Sequence, residues 1–208
     1  MKSVLISIQP KWCHRIIDGE KKIEVRKTKP KLATPFKVYI YCSAGSYDWR
    51  KDIWTTAYRL PNSEITNMSQ MVIGEFVCDC ITPLYNVCTD EWRLLRGGLH
   101  EIEKQLVGMA CLTEEELHEY ANGKYCYAWH ISDLKIYNKP RELSDFKTPP
   151  CEKSEKSCGK CKYLVKIDTP DMYEVDCFVE NGREITRPPQ SWCYVEERKM
   201  FEYEVCLD

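Results

Sequence analysis

The sequence predicts an α+β protein, built as one domain with an added segment. Apolar and polar residues alternate over several short runs, which is typical of half-buried strands. Within the stretch 89–122, apolar residues instead recur at helical spacing. The chain has 208 residues and is 43% apolar, so it can bury a core of its own.

The N-terminal residues predict a strand, a short helix and a second strand. Residues 4–8 alternate between two faces, one of them strongly apolar, and this run ends before Pro10. Pro10 suits the first position of a helix of about two turns. Gly19 is placed for the left-handed C-cap of that helix, and residues 23–26 then alternate again as a strand.

Further strands are expected where β-branched and aromatic residues concentrate. These runs cover residues 37–42, 71–81, 125–137, 185–195 and 201–206. Gly74 marks a bulge or a close backbone approach within its strand, and Pro140 is expected to close the strand that begins at Tyr125. Residues 43–70 predict a loop with a short helix.

The helical stretch contains one well-marked helix start. Thr113 is followed by three glutamates and forms a capping box with Glu116, which predicts a helix from Glu114 to near Gly123. Leu117 and Tyr120 continue the apolar period of that helix.

Cysteine usage predicts a cytoplasmic protein. The chain has 13 cysteines, an odd number, and lacks both a basic-then-apolar leader and an apolar run long enough to cross a bilayer. We therefore expect a reducing compartment and no membrane partner. In such a compartment cysteines serve as small buried residues or as metal ligands.

Charge is distributed unevenly along the chain. Residues 1–37 contain ten Lys or Arg against three acidic residues, although the net charge of the whole chain is -2. This excess favours an anionic partner at the N-terminal region, because Lys and Arg make most phosphate contacts. The alternative is a solvated charged face.

Residues 19–26 (GEKKIEVR) place charged side chains on one face of a strand. The apolar residues that alternate with them are expected to point into the core, so Glu24 and Arg26 share the opposite face. The two side chains can fix each other's rotamers, and Lys21 adds a mobile cation. This group predicts a site for an anionic or hydrogen-bonding ligand. The alternative is an exposed ion pair on an edge strand.

The pattern GxKxxExR over residues 19–26 resembles the signature of ASCH domains. Ile8-x-Pro10 and an amphipathic helix precede it, and the strand over residues 127–131 (YAWHI) is also similar to that family. The resemblance covers roughly residues 1–145 and the segment 188–192 (PPQSW). It implies a PUA-like β-barrel with flanking helices, in which a cleft beside the motif helix takes RNA, a nucleotide or a modified nucleoside.

On this resemblance we expect the cleft residues to be Lys11, Trp12, Lys21, Glu24, Arg26 and Lys27. Exposed aromatic rings also stack on bases, which makes Trp12, Tyr41, Trp49 and Trp129 candidates, with core packing as the alternative for each. Trp12, beside Lys11, is the candidate that we would test.

One branch of the family hydrolyses acetylcytidine with the motif lysine, a threonine at the sixth motif position and a separate glutamate. This chain has Lys21, but Glu24 stands at the sixth position, and a carboxylate is no simple substitute for a hydroxyl. An amidohydrolase therefore stays an alternative, with Lys21 and Glu24 as its catalytic residues. Glu115 or Glu116 meeting Lys21 across the cleft would favour it.

A ribonuclease is a second enzymatic alternative. Lys21 and Arg26 would stabilise phosphate charge, and Glu24 or His14 would act as general base. A protein-interaction module is a third alternative, for which the cleft would lack a pocket beside Arg26.

A cysteine-rich segment follows residue 145. Cys158 and Cys161 form a C-x-x-C pair, and Cys151 and Cys177 bring the set to four thiolates, which suits a structural tetrahedral zinc ion. Cys193 is the rival fourth ligand. A redox pair and inert thiols are the alternatives. This segment is also a candidate surface for a protein partner.

We therefore divide the chain into three parts: a PUA-like (ASCH) barrel over residues 1–145, a zinc-ribbon-like insertion over residues 146–182, and closing strands of the barrel over residues 183–208.

Overall fold

The computed structural model describes eight stretches of the chain. They are residues 2–48, 53–54, 56–59, 65–84, 101–150, 164–168, 173–177 and 182–197. Within these stretches the helices are α1 (Pro10–Ile17), α2 (Glu101–Met109), α3 (Glu114–Ala121) and a 3-10 turn at Leu143–Asp145. The predicted α+β class is confirmed.

Strands make up most of the described chain. They are β1 (Ser3–Ile8), β2 (Ile23–Arg26), β3 (Phe36–Cys42), β4 (Tyr47–Asp48), β5 (Ile53–Trp54), β6 (Ala57–Arg59), β7 (Ile65–Asn67), β8 (Val72–Cys78), β9 (Ile81–Leu84), β10 (Cys126–His130), β11 (Ser132–Arg141), β12 (Phe146–Lys147), β13 (Leu164–Asp168), β14 (Tyr173–Cys177) and β15 (Trp192–Glu197).

Two sheets carry the architecture. The larger has the strand order β11-β8-β3-β1-β15-β12, with β1 and β3 parallel and the other described pairs antiparallel. The smaller sheet, β2-β10-β9, is antiparallel throughout. The hairpins β4-β5, β6-β7 and β13-β14 form separate two-stranded sheets. Sheets flanked by helices thus form the α+β arrangement of the described chain.

Helix α1 begins and ends as its sequence predicts. Pro10 occupies the start of the helix, where a missing N–H costs nothing. Gly19 follows the last turn with φ of +72°, the left-handed conformation that glycine adopts without strain. Cys13 and Ile16 are buried, so one face of α1 packs on the core and the other remains available to the cavity described below.

The main core lies around Trp129 of β10, whose side chain is fully buried. Its ring meets Phe36 edge to face, with the centroids 5.9 Å apart, and also contacts Trp192 at 5.9 Å. Phe76 belongs to the same cluster. A second cluster packs α2 and α3 against the opposite face of β2 and β10. The smaller sheet is therefore covered on both faces.

Two predictions from the sequence were wrong. The predicted loop over 43–70 contains short β-hairpins in its described part, because the β-formers Tyr47, Ile53 and Trp54 favour strands, and no helix lies among its described residues. The strand from Tyr125 breaks after His130, and β11 then continues through Pro140 to Arg141. A proline is tolerated there because β11 is an edge strand, where a missing N–H need not break the ladder.

The chain returns to the larger sheet beside the point where it left. Thr148 N donates to Arg183 O at 2.7 Å, and Arg183 N donates to Thr148 Oγ1 at 2.9 Å. Lys147 and Glu184 form an isolated β-bridge. Gly182 has φ of +73°, and a Cβ there would lie 1.9 Å from Thr148 O, so this junction requires glycine.

No helix among the described residues combines the length and apolar character that crossing a membrane requires.

Gly74 is the close backbone approach that the sequence predicts. A Cβ at this position would lie 2.4 Å from the carbonyl oxygen of Lys135 on the neighbouring strand β11. We therefore expect Gly74→Ala to lower the free energy of unfolding by about 1 to 3 kcal/mol, because the backbone of β11 has to move. Urea denaturation measures this change.

Gly108→Ala is the matched control for Gly74→Ala. Gly108 lies in α2, and a Cβ there meets nothing within 4 Å. Alanine should stabilise the helix by up to about 1 kcal/mol. Equal effects of the two substitutions would contradict the close approach.

Candidate functional site

A cavity of about 890 Å³ opens between α1, β2, α3 and the segment that leads into β15. Its lining is mainly polar and charged. The lining residues are Ser7, Ile8, Gln9, Lys11, Trp12, Lys21, Glu24, Val25, Arg26, Ser43, Leu112, Glu116, Glu119, Tyr120, Gln190 and Ser191.

The register of the smaller sheet places the charged residues of β2 towards the cavity. Val25 pairs with Ala128, and both side chains face the helices α2 and α3. Glu24 pairs with Trp129 and therefore lies on the opposite face. The sequence predicted this division correctly. It did not predict that the polar face is covered as well: Glu24 is only 6% exposed and Arg26 only 8%.

Lys21 is buried at the inner end of the cavity, with 3% of its surface exposed. Its Nζ donates to the carbonyl oxygen of Ala110 at 2.7 Å and lies 3.5 Å from Glu24 Oε2. The same ammonium lies 4.9 Å from the centre of the Trp12 ring. A carbonyl, a carboxylate and a ring face thus surround one cation. Their attraction offsets part of the free energy that burying the charge costs.

Arg26 joins three segments of the chain. Its Nη2 contacts Glu24 Oε1 at 2.9 Å and donates to the carbonyl oxygen of Ser7, on β1, at 2.6 Å. Its Nη1 lies 3.5 Å from Ser191 Oγ. The guanidinium therefore ties β2 to β1 and to the segment before β15, using its fixed fork of donors.

The buried network is not fully satisfied. Glu24 Oε2 and Arg26 Nε are shielded from solvent and have no hydrogen-bond partner among the described residues. Unpaired polar atoms in a buried network cost free energy, and native structures retain few of them. The stability of the fold alone therefore does not account for this group of charges.

The rim of the cavity combines rings and charges. Lys11 Nζ lies 4.2 Å from the centre of the Trp12 ring, and Trp12 is half-buried. Tyr120 is 41% exposed, with Lys27 Nζ 5.0 Å from its ring centre. The wall formed by α3 is acidic instead, because Glu116 and Glu119 line it. The cavity thus has a cationic side and an anionic side.

The structure brings together five of the six expected cleft residues. Lys11, Trp12, Lys21, Glu24 and Arg26 all line the cavity. Lys27, the sixth, does not line it but reaches its rim through the ring of Tyr120.

The other candidate aromatic residues lie elsewhere. Tyr41 and Trp129 are buried in the core, so neither ring is available to a base. Trp49 lies outside the described residues. His14, considered as a general base, is on α1 but does not line the cavity.

Of the α3 glutamates named for the amidohydrolase alternative, Glu116 is engaged within its own helix. Glu116 lines the cavity, but its Oε2 accepts a hydrogen bond from Thr113 N at 3.0 Å and so completes the capping box. Glu115 lies outside the cavity lining. The carboxylate that meets Lys21 is Glu24 of the motif itself.

Tyr120 and the residues before β15 are the functional candidates that sequence reasoning missed. The apolar period of α3 predicted Tyr120 as a core residue, whereas its ring lies at the cavity rim. Gln190 and Ser191 belong to the segment PPQSW, which was noted only for its resemblance. They lie about 165 residues from β2 along the chain, so no local sequence pattern indicates that they contact Arg26.

Most of the predicted zinc ligands lie beyond the described residues. Cys151, Cys158 and Cys161 are outside them, and Cys177 ends strand β14. Cys193, the rival ligand, lies on β15, and burial raises the pKa of its thiol to about 11. The described residues contain no cluster of three or more His, Cys, Asp or Glu suited to a metal ion.

The ion pair between Arg26 and Glu24 should be essential for stability. Arg26→Ala removes the closest charge partner of a buried carboxylate, so we expect the free energy of unfolding to fall by about 3 to 5 kcal/mol. The double variant Glu24→Ala/Arg26→Ala should lose less than the sum of the single variants, since the uncompensated charge is then gone. Urea denaturation of all three variants measures the coupling.

The exposed ion pair between Arg15 and Glu20 is the control for this cycle. Both side chains are about half exposed, so removing either should change stability little. Additive effects of Glu24→Ala and Arg26→Ala would show that the buried pair is not coupled.

No protein-family model matches the sequence, and no curated protein matches it either. Comparison with solved structures finds an ASCH domain from Zymomonas mobilis, 19% identical, with a TM-score of 0.43, covering 68% of this chain and 73% of that chain. Two mutants of the same Zymomonas mobilis protein also match, at 19% and 20% identity and TM-scores of 0.42 and 0.40. They cover 69% and 68% of this chain and 77% and 74% of theirs. All three of these structures are of one ASCH protein from Zymomonas mobilis.

Proposed function

We propose that this protein binds RNA or a nucleotide, with one nucleotide unit held in the cavity beside β2. The buried Lys21, Glu24 and Arg26 at the cavity floor support the proposal most strongly. Together they carry one net positive charge at the base of an open cavity. Two cations held in place by neighbouring groups are preorganised for an anionic or carbonyl-bearing ligand.

The size of the cavity suits a single nucleotide. Small-molecule sites have volumes of about 300 to 1,000 Å³, and this cavity measures about 890 Å³. Its polar lining residues, among them Ser43 and Gln190, supply further donors and acceptors. A nucleoside needs such groups because both its base edge and its sugar form hydrogen bonds.

Two rings at the rim are placed to stack on a base. Trp12 is half-buried and faces the cavity, and Tyr120 is 41% exposed on the opposite side. Stacking on aromatic side chains is the usual way in which proteins hold unpaired bases, and it contributes about 1 to 3 kcal/mol for each base. Trp12 is also flanked by Lys11 and Lys21, whose cations would meet a phosphate or a base carbonyl.

Binding is favoured over amide hydrolysis because of how Glu24 is held. One carboxylate oxygen contacts Arg26 at 2.9 Å and the other lies 3.5 Å from Lys21. A carboxylate held between two cations is engaged in its ion pairs and is not free to attack a carbonyl carbon. The binding experiments also test the enzymatic alternatives. If acetylcytidine or RNA is converted to product during a titration, this cavity is an active site.

Lys21→Ala tests the proposal, with Lys22→Ala as its matched control. Lys22 is exposed and does not line the cavity. Loss of a charge-assisted hydrogen bond costs about 1.5 to 3 kcal/mol, so Lys21→Ala should weaken nucleotide binding roughly 10-fold to 100-fold. Lys22→Ala should leave it unchanged. Calorimetric titration with nucleotides and short RNA measures both, and circular dichroism checks that each variant is folded.

Trp12→Ala and Trp12→Phe provide a second test that avoids the buried network. Alanine removes the ring and should weaken binding at least about fivefold, whereas phenylalanine keeps a ring for stacking and should retain most of the affinity. Wild-type affinity in both Lys21→Ala and Trp12→Ala would refute a nucleotide site in this cavity.

For the cysteine-rich segment we propose a structural zinc ion held by Cys151, Cys158, Cys161 and Cys177. The C-x-x-C spacing supports it, and four protein ligands would leave no open position for water.

The zinc proposal predicts one zinc ion for each purified chain. Cys158→Ser should lose the metal, because a serine hydroxyl does not replace a thiolate ligand. Cys80→Ser should retain it, since Cys80 is exposed on the barrel and belongs to no C-x-x-C pair. Mass spectrometric metal analysis measures the content. A metal-free wild-type chain purified without chelator would contradict the proposal.

A further inference from the structure

We propose that a single-stranded RNA bound in the cavity continues across a basic ledge formed by Lys27, Lys29, Lys31, Tyr120 and Tyr127. The inference rests on the proposed function, because it says where the nucleotides next to the bound one would lie. Its partner is a polynucleotide rather than a free nucleotide.

The ledge belongs to a stretch without acidic residues. From Val25 to Tyr47 the chain contains no Asp or Glu, and it carries five cations: Arg26, Lys27, Lys29, Lys31 and Lys37. Lys29 and Lys31 are exposed. Such a one-signed stretch creates a positive potential that attracts phosphates.

The ledge adjoins the cavity directly. Lys27 follows Arg26, which lies at the cavity floor, and Tyr120 belongs to both the cavity rim and the ledge. On the side of β15, Ser191 lines the cavity and the next residue, Trp192, contacts the ledge. A nucleic acid strand can therefore pass from one to the other without crossing a gap.

Two hydrogen bonds hold the ledge in place. Trp192 Nε1 donates to Thr28 Oγ1 at 3.0 Å, and Lys31 N donates to Tyr194 Oη at 2.7 Å. Both partners belong to β15, in the larger sheet. A loop that is fixed in this way loses little conformational entropy when it binds a ligand.

Lysines and tyrosines alternate on the ledge. Lys27 Nζ lies 5.0 Å from the centre of the Tyr120 ring, and Lys29 Nζ lies 5.5 Å from that of Tyr127. Cations beside ring faces can bind phosphates while the rings stack on bases, which is the combination that proteins use for single strands.

The acidic residues of α3 disfavour a path for the RNA along that helix. Glu116 and Glu119 line the cavity on α3, and carboxylates repel backbone phosphates. Tyr120 of the ledge also belongs to α3, next to Glu119, so the positive surface for a strand leaving the cavity is the loop with Lys27, Lys29 and Lys31. This difference sets the direction of the path.

The test compares two charge-matched double variants, Lys29→Gln/Lys31→Gln on the ledge and Lys135→Gln/Lys139→Gln on β11. All four lysines are exposed, and none lines the cavity beside β2. Fluorescence anisotropy measures the affinity for an RNA of about eight nucleotides between about 50 and 200 mM salt. Calorimetry measures the affinity for the mononucleotide. Lys21→Ala and Trp12→Ala are measured alongside.

We expect the ledge variant to bind the RNA roughly tenfold more weakly at low salt. The slope of log affinity against log salt should fall in magnitude by about 1.4, or about 0.7 for each phosphate that the variant no longer neutralises. Mononucleotide affinity should not change in the ledge variant. The β11 variant should match the wild-type protein in both measurements.

Equal RNA affinity in the two double variants would contradict RNA binding at the ledge. So would a wild-type protein that binds RNA no more tightly than the mononucleotide. Wild-type affinities in both Lys21→Ala and Trp12→Ala would instead overturn the proposed function, and the ledge with it. Displacement of the RNA by polyglutamate of equal charge would replace RNA with an acidic peptide as the partner.

Discussion

The structure depends on one buried guanidinium, that of Arg26. Its contacts with Glu24, the carbonyl oxygen of Ser7 and the hydroxyl of Ser191 join the smaller sheet, strand β1 and the segment before β15. Each of these elements has its own hydrophobic packing, but packing is not directional. Hydrogen bonds from a planar group with fixed geometry define how the elements are oriented. The three elements that this guanidinium joins all contribute residues to the lining of the cavity.

The same network has a cost for stability. Two cations and one carboxylate leave water at this point, and their mutual attraction is set against a desolvation penalty of several kcal/mol for each ion. Apolar residues of similar volume would fill such a space more cheaply. Glu24 Oε2 and Arg26 Nε also lack hydrogen-bond partners among the described residues, which adds to this cost.

Local signals in the sequence predicted much of the fold and the polar face of the site. Pro10, Gly19 and Thr113 mark helix ends through their own backbone and side-chain chemistry, and the structure has these ends. The alternation in β2 predicted which residues share a face. Burial of that face could not be predicted, because it results from Ser7 and Ser191, which are remote along the chain. Tyr120 was misplaced for a related reason: helical spacing shows a face, but not what covers it.

The β-bridge between Lys147 and Glu184 affects which changes in chain length the fold can tolerate. The segment between them leaves the larger sheet and returns to it at adjacent points, held by two hydrogen bonds between Thr148 and Arg183. Since the entropy of closing a loop depends only logarithmically on its length, doubling such a segment costs about 0.6 kcal/mol. The stability of the sheet therefore depends little on the length of the segment inserted at this junction. This junction is a natural attachment point at which one module can be exchanged for another while the cavity is preserved.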